Sequence, residues 1–390
     1  MAASYIVAGC RTPVGKFLGG LAEVPAPRLG AAVIAESLHR ADVAPERVDE
    51  VIMGNVLSAG LGQAPARQAA LHAGLPPTIA ALTVNKMCGS GLKAVMLADQ
   101  AIRAGDAEII VAGGMENMSR APHLLVGSRK GWKFGDVQMV DSMLHDGLRC
   151  AFEHVAMGDE ADYIARKCDV GRIEQDTFAA ESHRRASNAV EAFKREIIPV
   201  ELAGRSGATT LERDEGPRAD TTLGGLAVLK PSFSPEGTVT AGNASQLSDG
   251  AAAVVVVSER AAGSRDWPLR ARIIATATSG VAPKELFIAP VSAIEKVLAK
   301  AKLTLDQIDL VELNEAFAAQ CLACMRPLRL PHAKTNVHGG AIALGHPIGA
   351  SGARVLVTLL YALEARGLKR GLAALCLGGG NAVAMIVERE

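Results

Sequence analysis

The residue best placed to do chemistry is Cys88, which lies in the segment NKMCGSG at residues 85–91. An apolar segment precedes it, and apolar residues at helical spacing follow from Leu92, so the pattern predicts a strand, a tight turn and a helix. Unpaired N–H groups and the dipole at a helix N-terminus favour a thiolate, the nucleophilic form of cysteine. The alternative is that Cys88 is a small buried apolar residue, as most free cysteines are.

A second set of reactive side chains lies toward the end of the chain. His346 stands ahead of a predicted helix, Cys376 closes a predicted strand ahead of three glycines, and Asn314 follows another predicted strand. A thiol with a histidine base is the basic unit of covalent acyl transfer. A second cysteine can move another proton, and an asparagine can hold a water or donate to an oxyanion. Each residue alone is equally consistent with an ordinary loop or turn.

Alternating helices and strands must position these side chains, and such alternation predicts an α/β sheet covered by helices on both faces. We expect a strand at residues 108–112 that stops at Gly113-Gly114, and helical structure at residues 251–257. The other expected strands and helices of the first part are strands at 5–8, 48–53 and 80–84 and helices at 29–41, 65–73 and 90–104.

The pattern of predicted elements changes between about residues 115 and 249. Short helices, many charges and Gly/Pro breaks replace the regular alternation, apart from one long predicted helix at residues 173–195. We expect this region to be an insertion that serves as a lid and a binding surface. A second alternation starts at residue 270.

An internal repeat relates the two ends of the chain. Residues 38–51 match residues 298–311 at a constant offset of 260 positions (298 − 38). The turn at Cys88 corresponds to residues 346–352, and residues 108–114 correspond to 373–379. Two copies of one α/β unit should pack about a pseudo-twofold axis. Equivalent strand-to-helix turns would then converge on one site at the carboxyl ends of the strands.

Composition excludes several kinds of partner. The 390 residues carry 41 basic and 41 acidic side chains, a net charge of +0, which argues against nucleic acid or an anionic membrane surface. No apolar run reaches the length of a membrane span, and the first seven residues carry no secretory signal. Seven scattered cysteines indicate reduced thiols and a cytoplasmic location. The pair Cys321 and Cys324 has the spacing of a metal or redox motif but no partner ligands nearby, which favours core packing.

Several blocks in one order resemble the thiolase family over nearly the whole chain. They comprise a nucleophile block, an Asn-Glu-Ala-Phe motif, a histidine block, a second cysteine block and two further family blocks, at residues 84–91, 314–317, 336–347, 376–380, 114–119 and 237–245. Long motifs in the right order are much more specific than any one of them.

The resemblance implies a role for each reactive residue. Cys88 would attack an acyl-CoA thioester and carry the acyl group, with His346 as its base. Cys376 would take a proton from the methyl group of a second acetyl-CoA. The acyl-enzyme oxygen would be held by the N–H groups of Cys88 and Gly378, and the enolate oxygen by His346 and a water on Asn314. The implied CoA contacts are Ser245, Arg218, Met157, Ala241, Phe233 and Phe317.

The sequence departs from the family pattern at three places. Ala156 stands where short-chain thiolases usually have histidine before Met-Gly. Residues 286–290 read Leu-Phe-Ile-Ala-Pro instead of Met-Gly-x-Gly-Pro, and Asn381-Ala382 follow the last glycine block instead of Gly-x-Gly. The first two should line the acyl and pantetheine pocket, so they bear on chain length. The four chemical groups are present.

The resemblance implies an α/β fold of two duplicated, layered thiolase domains with an inserted loop domain. We expect the first at residues 1–118 plus 250–268, the loop domain at 119–249 and the second at 269–390. The implied enzyme converts acetyl-CoA to acetoacetyl-CoA by a ping-pong mechanism, as a homodimer or homotetramer without a permanently bound cofactor. The alternatives are a longer-chain 3-oxoacyl-CoA thiolase, a non-catalytic acyl-CoA or lipid-binding protein and a decarboxylating ketosynthase, whose sites resemble Cys-His-His.

Overall fold

The computed structural model describes residues 3–204, 207–264, 266–267 and 271–390. The expected boundary between residues 268 and 269 lies outside the described residues. The strands, in chain order, are β1 (Ser4–Arg11), β2 (Gly15–Lys16), β3 (Glu50–Gly54), β4 (Ala80–Val84), β5 (Ile109–Asn117), β6 (His123–Leu124), β7 (Val140–Asp141), β8 (Val200–Gly204), β9 (Gly207–Leu211), β10 (Ser248–Ser258), β11 (Ala271–Gly280), β12 (Leu310–Leu313), β13 (Arg370–Leu377) and β14 (Asn381–Arg389).

The helices complete the alternation that the sequence predicts. They are α1 (Ala26–Arg40), α2 (Pro65–His72), α3 (Ser90–Ala104), α4 (Met157–Lys167), α5 (Arg172–Asn188), α6 (Val190–Phe193), α7 (Leu223–Ala227), α8 (Glu259–Ala262), α9 (Ala289–Ala301), α10 (Ala318–Leu328), α11 (Ala341–Leu344) and α12 (Ile348–Ala365). A π-helical turn at Met143–Leu148 and a 3-10 turn at Pro283–Ile288 also contribute to the site described below.

Strand order shows the duplication directly. Ten strands form one mixed sheet in the order β12-β13-β14-β11-β1-β10-β5-β3-β4, with β2 paired to β10. Reading outward from the β1–β11 junction, β1, β10, β5 and β3 on one side correspond to β11, β14, β13 and β12 on the other. The pseudo-twofold axis expected from the repeat therefore passes between β1 and β11.

Helices α3 and α12 occupy the centre of the molecule. They contact each other, and α12 contacts strands of both halves, including β5, β10, β12 and β13. Helices α1 and α2 cover the outer face of the first half, and α9 covers the second. Most of the buried apolar residues form two large clusters: one lies between the first half-sheet and helices α1 and α2, and the other fills the central layer and surrounds the strands of the second half, which is the arrangement of a layered α/β fold.

Three glycines allow the two halves to approach closely. A Cβ on Gly91 would lie 2.7 Å from the backbone N of Ala353, and one on Gly114 would lie 2.1 Å from the carbonyl oxygen of Gly349. A Cβ on Gly89 would lie 2.6 Å from Leu377. At Gly91 and Gly114 the backbone of one half thus lies directly against the backbone of the other, which only glycine permits, and at Gly89 it lies against the side chain of Leu377.

Two predictions for the sheet are wrong. Residues 251–257 are not helical but form the middle of β10, where every residue is buried between β1 and β5 and between helices on both faces. Four consecutive valines favour a strand that is buried on both faces. Burial in the sheet outweighs the helical propensity of the three alanines. Strand β5 does not stop at Gly113-Gly114 but continues to Asn117. These glycines mark close approach of backbone inside the strand.

The insertion has the irregular structure expected of it, with one difference. The predicted helix at residues 173–195 is divided into α5, which ends at Asn188, and the short α6. Among the described residues one helix, α12, has the length and composition of a membrane span, and 83% of that window is buried inside the protein. Its apolar character is accounted for by its central position.

Candidate active site

The turn that carries Cys88 connects β4 to α3, as the sequence predicts. Ser90, the first residue of α3, accepts a hydrogen bond from the backbone N–H of Lys86 (2.8 Å) and donates one to the carbonyl oxygen of Met87 (2.6 Å). Met87 has a positive φ of 48°, which makes the turn tight. These bonds place Cys88 two residues before α3, with its side chain part-buried.

His346 lies ahead of α12, in the second half of the molecule. Its backbone N–H donates to the carbonyl oxygen of Gln246 (3.0 Å), which joins this segment to the insertion. The preceding Gly345 has a φ of 112°, a conformation that L side chains rarely adopt. The imidazole ring is buried, and its Nε2 lies 3.5 Å from the side-chain nitrogen of Asn314.

Asn314 directly follows β12, and its backbone N–H donates to the carbonyl oxygen of Ala374 on β13. Its side-chain oxygen is buried and has no hydrogen-bond partner among the described residues. The side chain therefore reaches His346 with one end and offers a free acceptor at the other.

Cys376 is the penultimate residue of β13, and Gly378–Gly380 form the turn of the β13–β14 hairpin. Gly379 and Gly380 both have a φ near 80° (82° and 83°), so these glycines form the tight bend that the sequence allows. Backbone N–H groups of Gly378 and of Cys88 itself face the Cys88 sulfur. Two N–H groups at a sulfur are also two donors for the oxygen of a thioester formed there.

One cavity of about 430 Å³ brings these groups together except Asn314, which is not among its lining residues and contacts the site through His346. Cys88, His346, Cys376 and Gly378 line it, so a thiol of the first half meets an imidazole and a thiol of the second. The remaining wall is largely apolar. Two larger surface grooves, of about 720 and 580 Å³, contain none of the predicted catalytic residues. The cavity is thus the site at which acyl chemistry is possible.

Most of the implied CoA contacts line the same cavity. The set comprises Met157, Phe233, Ala241, Ser245 and Phe317. Arg218 does not line it; this residue is exposed, and its backbone N–H donates to Nδ1 of His183 (3.1 Å).

The pKa values of Cys88 and His346 differ from those expected for a resting thiolate at Cys88. Burial raises the pKa of Cys88 to about 11, although the N–H groups of Cys88 and Gly378 lower it. Burial, and secondly the charge of Arg354, lowers the pKa of His346 to about 3. Burial also raises the pKa of Cys376 well above its usual value. The resting site is therefore a neutral thiol beside a neutral imidazole, which is free to accept a proton.

We expect alkylation of Cys88 by iodoacetamide to accelerate about tenfold per pH unit above neutrality, because only the thiolate reacts. A thiol with a pKa of about 11 is protonated throughout the neutral range, so its thiolate fraction grows with pH. The rate at the Cys88 peptide can be followed by mass spectrometry, with the part-exposed Cys168 as internal control. A rate that is flat between about pH 6 and 8 would show a preformed thiolate–imidazolium pair instead.

Two buried carboxylates hold the site and were not predicted from the sequence. Glu116 accepts from the N–H groups of Val56, Leu57 and Gly349, and so joins the loop after β3 to the start of α12. Glu315 accepts from Ser182, Asn336 and the N–H of Ile342, and so holds α5 and α11 ahead of His346. The signal was present, because both acids lie beside motif residues. Their partners, however, are distant in sequence.

Cys321 and Cys324 are both buried in α10. Their thiols donate to the backbone carbonyl oxygens of Asn314 (3.7 Å) and Phe287 (3.1 Å). Within the part of the chain that the structure describes, no group of three or more His, Cys, Asp or Glu side chains is arranged to hold a metal ion. This pair therefore packs the core behind the cavity.

The fold and site together define a class: a duplicated α/β protein whose nucleophilic turn and basic turn come from different halves. The chain matches "Thiolase, N-terminal domain" over residues 4–260 and "Thiolase, C-terminal domain" over residues 267–389. It belongs to the thiolase family.

Similar proteins cover essentially the full chain. An acetyl-CoA acetyltransferase of Pseudomonas aeruginosa is 54% identical over 388 residues, and one of Cupriavidus necator is 53% identical over 388 residues; each match covers 99% of both chains. The crystal structure of the Bacillus anthracis acetyl-CoA acetyltransferase superimposes with a TM-score of 0.98 at 41% identity, covering 100% of this chain and 99% of that one.

Proposed function

We propose that the protein is a thiolase that condenses two molecules of acetyl-CoA to acetoacetyl-CoA and CoA, reversibly. The observation that carries this proposal is the meeting of Cys88, His346 and Cys376 at one apolar cavity. Nucleophile, base and second thiol are the groups that acyl transfer followed by carbon–carbon bond formation requires. The acetyl-CoA acetyltransferases of P. aeruginosa and C. necator, similar over 99% of the chain, support the same reaction.

In the first half-reaction Cys88 attacks the thioester carbonyl of acetyl-CoA. Its proton passes to Nε2 of His346, which is neutral and exposed to the cavity, and then leaves with the CoA sulfur. The acetyl group stays on Cys88, with its oxygen at the N–H groups of Cys88 and Gly378. Donors fixed by a tight turn and a hairpin need no reorganisation as charge develops. The covalent intermediate implies ping-pong kinetics.

In the second half-reaction Cys376 removes a proton from the methyl group of a second acetyl-CoA; because burial raises the pKa of this thiol, it must first give its own proton to solvent. The resulting enolate attacks the acetyl carbon on Cys88, the new carbon–carbon bond forms, and the Cys88 sulfur is released as a thiolate that takes the transferred proton from Cys376. We place the enolate oxygen between Nε2 of His346 and a water held by Asn314, whose buried side-chain oxygen has no hydrogen-bond partner in the described part of the chain. A carbanion equivalent is too costly without such donors.

We propose that the insertion, residues 119–249, acts as a loop domain that holds CoA against the two thiolase domains, residues 1–118 plus 250–268 and residues 269–390. Five side chains of the proposed CoA contacts line the cavity, four of them from the insertion. Arg218 lies outside the cavity and exposed, a position suited to stacking on an adenine or meeting a phosphate of CoA.

Two of the three departures from the family pattern reach the cavity wall. Ala156, Leu286 and Phe287 all line it, and the Phe287 ring packs edge-on against Phe317 at 5.2 Å. Alanine at position 156 leaves more room in the cavity than the usual histidine. Leu286 and Phe287, by contrast, are buried and fill the space at their positions. The room beside Ala156 is the observation that favours a 3-oxoacyl-CoA thiolase of longer chain length as the second candidate.

A chain-length series tests both candidates. Purified protein is given free CoA and 3-oxoacyl-CoA substrates of increasing length, and thiolysis is followed by loss of enolate absorbance. Under the main proposal acetoacetyl-CoA has the highest kcat/KM; a maximum at a longer chain supports the second candidate. Absence of turnover at every chain length would support the alternative of a non-catalytic acyl-CoA-binding protein. An Ala156→His variant, which restores the usual residue, shifts the preference toward acetoacetyl-CoA if this wall sets chain length.

We propose further that the protein is a cytoplasmic homodimer or homotetramer. Strand β4 lies at the edge of the sheet with Leu82 exposed, and an exposed edge is a surface for pairing with another chain. The segment between β6 and β7 exposes Trp132 and Phe134, an apolar patch of the kind that another copy covers. All seven cysteines are free, as in a reducing compartment. Light scattering distinguishes dimer from tetramer.

A further inference from the structure

The side of the His346 ring that faces away from Asn314 contacts a single hydroxyl. Nδ1 of His346 lies 2.6 Å from Oγ of Ser351, which is buried in the first turn of α12. Oγ of Ser351 also lies 2.9 Å from the carbonyl oxygen of Pro347, to which it can donate. A catalytic histidine is normally oriented by a group at its second nitrogen, and here that group is a neutral hydroxyl in place of a carboxylate.

The hydrogen bonds around the ring fix where its proton rests. The side-chain nitrogen of Asn314 can only donate, so Nε2 of His346 must accept. The ring proton is then on Nδ1, Ser351 accepts it, and the hydroxyl proton of Ser351 goes to Pro347. This tautomer leaves the Nε2 lone pair available to a thiol in the cavity, as a base requires.

The two half-reactions of the proposed function require opposite hydrogen-bonding roles of Nε2 of His346. Acylation needs Nε2 as an acceptor for the Cys88 proton, whereas the enolate needs Nε2 as a donor. The neutral ring becomes a donor when one proton moves from Nδ1 to Nε2, with no net gain or loss of protons. Nδ1 must then accept a hydrogen bond. A hydroxyl can both donate and accept, while an ionised carboxylate can only accept.

We propose that Ser351 is the positioning residue of His346, and that its hydroxyl holds the ring in both tautomers by accepting from Nδ1–H in acylation and donating to Nδ1 in enolate formation. A carboxylate at this position would fix the proton on Nδ1 and favour an imidazolium. Arg354, one turn further along α12 and also buried, has the opposite effect, because its positive charge disfavours a protonated ring. The surroundings of His346 thus keep it neutral.

Half-reaction assays on Ser351→Ala test this inference, which rests on the proposed function. Acylation is measured as exchange of labelled CoA into acetyl-CoA, and enolate formation as exchange of the acetyl-CoA methyl protons into D₂O. We expect both rates to fall about tenfold to a hundredfold with KM little changed, since one buried hydrogen bond is lost. Ser351→Thr keeps a hydroxyl and is expected to restore both rates.

Ser292→Ala provides the matched control. Ser292 also lies in the first turn of a helix, α9, and its hydroxyl donates to a carbonyl three residues back, but it does not line the cavity. We expect this variant to keep wild-type rates. If Ser351→Ala folds poorly, Ser351→Thr against Ser351→Cys, a weak donor and acceptor, gives the same comparison.

Nitrogen NMR of the histidine ring separates this inference from the proposed function, because it requires no turnover. The free wild-type protein should carry the His346 proton on Nδ1, and Ser351→Ala should move part or all of it to Nε2. Wild-type protein that fails to turn over but shows this change contradicts the proposed function alone. Turnover in Ser351→Ala equal to wild type, with the same ring tautomer, would overturn the role of Ser351.

Discussion

Replacement of Cys88 by alanine is expected to reduce thiolysis of acetoacetyl-CoA at least about ten-thousandfold. Removing a covalent nucleophile removes the intermediate on which both half-reactions depend, and losses of that order or larger follow in other enzymes. Cys88 is the thiol at which the N–H groups of Cys88 and Gly378 converge, so no other thiol of the cavity can replace it. Activity is measured as loss of enolate absorbance in the presence of free CoA.

A second measurement follows the intermediate itself. Wild-type protein mixed with acetyl-CoA should gain the mass of one acetyl group on the Cys88 peptide, and the alanine variant should gain none. Cys168→Ser is the control, because it removes another part-exposed thiol that lies outside the cavity. Acetylation at a different cysteine, or turnover within tenfold of wild type in Cys88→Ala, would contradict the assigned nucleophile.

Replacement of Cys376 by alanine is expected to separate the two half-reactions. Acetylation of Cys88 should persist, since its proton goes to His346, but condensation and methyl-proton exchange should fall about a thousandfold. That loss is typical of removing a general acid–base group. Stopped-flow acylation and D₂O exchange measure the two steps separately.

The Cys376 variant also decides between related chemistries. A decarboxylating ketosynthase would keep its condensation with a malonyl substrate without this thiol, because carbon dioxide loss supplies the carbanion. Cys324→Ala is the matched control, since it removes a buried thiol outside the cavity. If acylation and condensation fall together in Cys376→Ala, the residue acts on the structure of the site and not on the methyl proton.

Much of the fold was predictable because the sequence repeats its own turns. The offset between residues 38–51 and 298–311 identified two like units, and the sheet shows the corresponding strand orders on either side of the β1–β11 junction. Cys88 was correctly placed before a helix because glycine and an apolar helical pattern follow it. Such local sequence signals predict the same local structure whatever packs around it.

The errors arose where tertiary context outweighs local pattern. Alanine and valine at residues 251–257 are compatible with helix or strand, and only their position between β1 and β5 selects the strand. Gly113-Gly114 look like a strand end until the carbonyl oxygens of Ala252 and Gly349 are placed against Gly113 and Gly114, respectively. A single chain segment contains no information about which distant backbone it will touch.

The supporting residues of the site were beyond prediction for the same reason. Ser351 acts on a ring five residues away, but its contact depends on how His346 enters α12. Glu116 bonds to residues about 60 and 233 positions distant, according to the separation between each donor and acceptor. Likewise, the raised pKa of Cys88 comes from burial by residues distant in the sequence, which outweighs the helix N-terminus that the sequence shows.

The backbone contacts at Gly91 and Gly114 have a consequence for the nascent chain. Because the main chain of one half lies directly against that of the other there, the thiol of Cys88 meets His346 and the N–H of Gly378 only when the later half docks. A ribosome-bound fragment that ends before residue 346 carries the cysteine but lacks the histidine. Under the proposed function, chemical competence is therefore a late event of folding.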